Sequence, residues 1–228
     1  MMKRFDAFTL AEILITLGII GIVAAIVIPN LMANYEKKQI TPMLKKTYTT
    51  VKQGVDVSQV INAAPETWNY NLNASDFYDE YARGYYLEAD HFPLSRIDRV
   101  KVDYRNMDGS VATDPVLTSN DSVAIVLQDS AWIIISNEKD NGYKTIAIDI
   151  NGQKRPNIIG KDIFLFTIQG KYGLTPYGYA NGGVETFGTK YSKTVLLNSN
   201  PYGCKHNGAY CAAYVMSMNW QMDEDYPR

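Results

Sequence analysis

Histidine is scarce in this sequence, with His91 and His206 the only two in 228 residues. The imidazole is the commonest general base near neutral pH, so acid–base constellations have little to build on. The usual signatures of catalysis are missing as well: there is no G-x-S-x-G, no H-E-x-x-H, no phosphate loop ending in Gly-Lys-Ser/Thr and no glycine-rich dinucleotide fingerprint. The acidic pairs that do occur, Asp79-Glu80 and Asp223 with Asp225, read as solvated surface charge. No residue is assigned a catalytic role, and the chain reads as no enzyme. An excess of one charge is also lacking. With 22 basic and 24 acidic residues the net charge is −2, which gives no global electrostatic reason to bind nucleic acid and leaves DNA uptake as a role only a local patch could serve. Cysteine is limited to Cys204 and Cys211. Three readings of that pair stay open: a disulfide formed in an oxidising compartment, two free thiols, or a metal site drawing in His206 and His91. Two Cys and one nearby His do not match the paired spacing of structural zinc sites.

What is there in quantity is one apolar run. From Phe8 to Ile28 the chain carries 21 residues with a single acid, Glu12. As a helix rising about 1.5 Å per residue, this run spans roughly 31 Å, the thickness of a bilayer's hydrocarbon core. Three features set it apart from a secretory signal peptide. The small residue, Ala7, precedes the apolar run and directly follows Lys3, Arg4 and Asp6, so a cut there would keep the helix. Glu12 places a carboxylate where lipid makes it costly without a partner. Gly18, Gly21 and Pro29 permit close helix packing and a kink that a plain anchor does not need. Lys3 and Arg4 put the amino terminus in the cytoplasm by the positive-inside rule, and the rest of the chain outside the inner membrane.

Ala7-Phe8-Thr9-Leu10-Ala11-Glu12, with the apolar run behind it and Pro29 at its end, resembles the prepilin cleavage and methylation motif of type IV pilins and type II secretion pseudopilins. The residue before the cut is most often Gly in that family, and Ala7 is the less common alternative. The resemblance implies that prepilin peptidase cuts between Ala7 and Phe8 and methylates Phe8. It further implies that Glu12 is needed for assembly, and that residues 1–7 are a leader. Residues 8–28 would then be a transmembrane and filament-core helix, 29–63 an amphipathic helix packing on the head, and 64–228 an extracytoplasmic head. The implied fold is α+β and pilin-like, a long N-terminal helix on an antiparallel sheet. The implied partners are other copies, other pilins or pseudopilins, the peptidase and an inner-membrane assembly platform, in a pilus or a pseudopilus. It also favours the disulfide reading of Cys204 and Cys211, because pilins often pin this region. The alternative from a different class is a single-pass anchored binding domain that never polymerises.

Along the rest of the chain, Ile40, Met43, Leu44, Val51, Val55 and Ile61 recur at mostly helical steps and predict the face that packs on the head, with a bend at Pro42. Two helices joined near Asn30 are the other reading. Residues 64–118 mix aromatics and breakers and read as a loop-rich surface, with a short helix over Ser75–Arg83 capped by Ser75. Strands are expected at Ser122–Gln128, Ala131–Ser136, Tyr143–Ile150 and Asp162–Ile168, with the first two joined by an Asp129-Ser130 hairpin. The alternation in 144–150 suggests a sheet with one face on a helix. Gly170–Gly203 reads as loops, Ala209–Trp220 as a short helix, and the acidic tail as solvated. The connection from Asp149 to Asp162 carries Asp149, Asn151 and Asp162 on a Gly-bearing loop. That spacing suits either a tight structural turn or a hard cation such as calcium, with no other cofactor implied.

Overall fold

The computed structural model describes residues 9–97, 102–138, 142–170, 173–177 and 191–227, without the side chains at positions 30, 33 and 34. The leader and the Ala7–Phe8 bond lie outside the described residues. The chain divides into two compact units, Met1–Gln39 together with Arg228, and Ile40–Pro227. One helix, α1 (Leu10–Asn62), contributes residues to both. It is unbroken through Pro29 and Pro42, so the reading as two helices joined near Asn30 is set aside. Each proline lacks the N–H that would reach back four residues, so the helix forgoes a hydrogen bond at both places.

In the second unit the helix faces its sheet through Leu44, Thr47, Val51, Gly54, Val55 and Ser58, all buried. This differs from the expected face. Met43 and Ile61 are 42% and 64% exposed. Polar Thr47 and Ser58 take their place because the helix satisfies them: Thr47 Oγ1 donates to Met43 O at 3.2 Å, and Ser58 Oγ accepts from Asn62 Nδ2 at 3.2 Å. Gly54 is required by contact, since a Cβ there would run into the Tyr86 ring.

After two short turns comes α2 (Ala74–Tyr81), capped by Asn73, whose Oδ1 accepts from Asp76 N at 2.8 Å, rather than by Ser75. The aromatics around it are core and not decoration. Trp68, Tyr70, Phe77 and Tyr78 are buried, and Trp68 stacks on Tyr81 at 4.6 Å.

Among the described residues the sheet has six strands: β1 (Glu88–Pro93), β2 (Val123–Leu127), β3 (Trp132–Ile135), β4 (Tyr143–Asp149), β5 (Ile163–Gln169) and β6 (Gly173–Pro176). All neighbours are antiparallel and in chain order, a simple meander. Asp129 and Ser130 turn β2 into β3 as expected, with Ser130 in the left-handed region at φ 72°. β1 and β6 fall in stretches expected to be loops. The expectation of a one-sided sheet is also corrected. Every residue of β5, and every residue of β4 after Tyr143, is buried. By register Ile146, Ile148, Phe164 and Phe166 share one face, which Tyr48 of α1 meets through Phe166 at 5.4 Å. Thr145, Ala147, Asp149, Ile163, Leu165 and Thr167 share the other. The short helix α3 (Pro115–Thr118) packs on β3 and β4.

The last elements are α4 (Lys193–Asn198) and α5 (Cys211–Ser217), which pack together, with α5 against β5. The tail is solvated only in part: Glu224 and Asp225 are exposed, but other groups fold back. Tyr226 is buried, and its hydroxyl donates to Gly160 O. Asp223 accepts from Tyr214 Oη at 2.5 Å and from Lys193 Nζ at 2.7 Å, while Lys193 also reaches Asp225 at 2.6 Å. The pair read as free surface charge is thus a clamp on the tail.

The edge strand β1 is protected. It carries a bulge between Glu88 and Asp90, ends in Pro93, and its His91 N–H is taken by Asp90 Oδ1 at 2.8 Å. Assembly by strand addition at this edge is therefore disfavoured.

Gly54→Ala is expected to destabilise the head by about 1–3 kcal/mol, the usual cost of overpacking. Urea unfolding of the full chain in detergent checks this, with Gly18→Ala as a control that leaves head unfolding unchanged. An unaltered midpoint for Gly54→Ala would contradict the contact.

Candidate functional site: an uncovered apolar helix with a capped acid

Among the described residues, Leu10–Pro29 is the one helical stretch long and apolar enough to cross a membrane, and none of it is buried within the chain. Its Leu, Ile and Val side chains are 43–80% exposed. Gly18 and Gly21 have nothing within 4 Å of the position a Cβ would take. The subunit's own packing therefore gives no reason for glycine at either place. Glycines three residues apart on an uncovered apolar helix are suited to close approach by another helix.

Glu12 has a local partner. Its Oε2 accepts from Thr9 N and from Thr9 Oγ1, both at 2.8 Å, and Glu12 N donates to Thr9 Oγ1 at 3.3 Å. This is a reciprocal capping box, in which two backbone N–H groups left over at a helix start are satisfied by two side chains. The sequence signature Thr9-x-x-Glu12 is plain once sought, but the position of Glu12 within an apolar run draws attention to lipid and away from capping. Thr16 is likewise satisfied within the helix, donating to Ile13 O at 2.9 Å.

The other candidate residues lie in the head. Cys204 and Cys211 form a disulfide, which settles the open choice between bridge, thiols and metal. His206 and His91 are apart from it in role: His206 O accepts from Asp108 N at 2.9 Å, and the His91 ring lies 4.6 Å from that of Tyr78. The β4–β5 connection does bring Asp149, Asn151 and Asp162 together. Asn151 bridges the two acids, its N donating to Asp149 Oδ1 at 3.1 Å and its Nδ2 to Asp162 Oδ2 at 3.3 Å. Asp162 also receives Asn157 N and Ile158 N, each at 2.7 Å. Sequence reasoning missed Asn157, which sits at φ 54° and turns its side chain inward. No group of three or more His, Cys, Asp or Glu side chains suited to a metal occurs among the described residues.

Residues 30–228 match the model of a family of unknown function, DUF6613. The chain belongs to that family. Residues 2–28 match the prokaryotic N-terminal methylation motif, a stretch that includes the Ala7–Phe8 bond, the capping box and most of the apolar helix. Type II secretion system core protein G of Aeromonas hydrophila is 33% identical over 87 residues, covering 30% of this chain and 59% of that protein. The chain thus spans less than two thirds of that relative's length. No solved structure matches. Together with the helix and the antiparallel meander, these matches make the architecture of this DUF6613 chain α+β and pilin-like.

Thr9→Val removes the hydroxyl from the capping box and is expected to cost the first turn of the helix about 1 kcal/mol. Amide hydrogen exchange of residues 10–13 in detergent should then be several-fold faster, while Thr9→Ser stays near wild type. Equal protection in Thr9→Val would show that the box does not hold the turn.

Proposed function

We propose that this chain is a pilin-like structural subunit that prepilin peptidase cuts between Ala7 and Phe8 and methylates on Phe8, and that then polymerises into a type IV pilus or a type II secretion pseudopilus. The observation that carries this reading is the uncovered helix. Twelve Leu, Ile and Val side chains between Leu10 and Ile28 stand exposed on it. At 43–80% exposure, leaving them in water would cost roughly 10–20 kcal/mol, as large as the ~5–15 kcal/mol by which a whole domain is stable. The helix must therefore lie in lipid or among other helices. In the proposed cycle it does first one and then the other.

The waiting subunit sits in the bacterial inner membrane as a single pass, amino terminus in the cytoplasm and head outside. A plain anchor would do without Glu12, since a carboxylate at membrane depth is costly even near the end of a span. Thr9 lowers that cost in the isolated subunit by giving the carboxylate two donors. Cleavage at Ala7–Phe8 creates a new positive amine one residue before Thr9. On assembly the Phe8 amine of a neighbouring copy replaces part of the capping box as Glu12's partner, a charge pair in a dry environment that fixes the register of the two helices. Gly18 and Gly21 admit the neighbour's backbone, and Pro29 gives the helix a place to bend as it leaves lipid. The partners are other copies, other pilins or pseudopilins, the peptidase and the assembly platform. The head's role is to coat the filament.

Glu12→Ala should leave membrane insertion intact and reduce incorporation into sheared filaments at least tenfold against wild type, measured by immunoblot of membrane and filament fractions. Wild-type incorporation of Glu12→Ala would sink the assembly role and favour an anchored domain that stays in the membrane.

A further inference from the structure

We propose that the groove between α2 and the end of the sheet where β1 stops and β2 begins binds a neutral saccharide. The groove has a volume of about 630 Å³, inside the roughly 300–1,000 Å³ that ligand sites occupy, and it lies wholly in the second unit. Its walls follow from the patterns of the elements that make it. Along α2 and the residues just after it, Phe77 turns into the core, whereas Ser75, Asp79 and Arg83, four residues apart, form a polar stripe along the groove. On the sheet side, His91 and Pro93 of β1 share one face, being two residues apart, and Pro93 pairs with Val123 of β2. Asp121, just before β2, and Asn137, just after β3, add polar groups from the loops.

The side chains that line this space hold hydrogen-bonding capacity that the head does not use. Among the described residues the Asp121 carboxylate and Ser75 Oγ make no hydrogen bond or ion pair. Asn137 commits its Oδ1 to Ala74 N at 2.9 Å and keeps its Nδ2 donors, and Arg83 commits one nitrogen to Asp79 Oδ1 at 3.0 Å. Donors and acceptors thus face one space, which is the complement of neighbouring hydroxyls, since each hydroxyl both donates and accepts.

Other classes of ligand fit less well. Asp79 and Asp121 stand beside Arg83, so a phosphate- or sulfate-type anion would meet two carboxylates, and a polycation would meet a guanidinium. A peptide adding a strand to β1 finds His91 N already taken by Asp90 Oδ1. An apolar molecule would strip water from these polar side chains without replacing its hydrogen bonds. A sugar ring offers hydroxyls to the polar walls and a C–H face to Pro93 and to the His91 ring, which the Tyr78 ring backs at 4.6 Å. The inference concerns the head alone and stands whether or not the subunit polymerises.

The test uses the full chain in phosphatidylcholine nanodiscs, because detergents with sugar headgroups would compete. A glycan array carrying neutral, sialylated and sulfated saccharides is probed first, and the neutral saccharide retained best is then titrated by isothermal calorimetry. Saturable binding at one saccharide per chain is expected. Asp121→Ala and Arg83→Ala, with folding checked by circular dichroism, should each weaken it at least tenfold. Both residues are exposed, and the Arg83–Asp79 pair is a surface one, so neither variant is expected to unfold the head. An array that retains no saccharide, retention confined to the sialylated or sulfated ones, or unchanged affinity in both folded variants would each overturn the proposal.

Discussion

A stretch of apolar helix that none of the described residues covers sets the terms for everything else in this molecule. Leu10–Pro29 is too apolar for water and none of it is buried among the described residues, so its surroundings must be supplied from outside. That constraint accounts for the features of the segment that a soluble helix or a plain anchor would lack. Its one acid is satisfied by Thr9 in the same turn, which lowers the cost of keeping it in lipid without removing its capacity to take a charged partner. Its glycines make no close contact in the subunit, which leaves their faces available to another helix.

The head answers the opposite requirement, to be complete without neighbours. Its sheet is covered on both sides at β4 and β5, its first edge strand is bulged and ends in proline, and its tail is folded back and clamped by Lys193. Such a head can be carried in a membrane or on a filament without pairing edge to edge with copies of itself. The disulfide between Cys204 and Cys211 fits an oxidising extracytoplasmic location, and it closes a lobe that rests on the β4–β5 connection.

Much of this was legible in the residues, and the parts that were not have physical reasons. The amino-terminal segment was readable because charge, a small residue, an acid and an apolar run each sit at a required place. Strands β2 to β5 were readable because β-branched and aromatic residues dominate them. β1, with the sequence EADHFP, escaped because an edge strand with exposed side chains need not be apolar. β6 is only four residues, two of them Gly and Pro. The buried face of α1 was partly misread because Thr47 and Ser58 look polar in a sequence but are satisfied within their own helix. The tail was misread for a related reason. Three acids in MDEDYPR suggest solvent, whereas two of them hold one lysine and the tyrosine between acid and proline is core. In the β4–β5 loop, sequence pointed to Asp149, Asn151 and Asp162, but only the left-handed turn at Asn157 shows a further buried polar residue bonded to Asp162 through its backbone.

The account rests on the amino terminus being processed for assembly and not simply embedded. Intact-mass and fragment mass spectrometry of the protein extracted from its native membranes tests that most directly. The account predicts a chain that has lost residues 1–7 and begins at Phe8 with one methyl group on its amine. A chain that begins at Met1 with the leader uncut would contradict it.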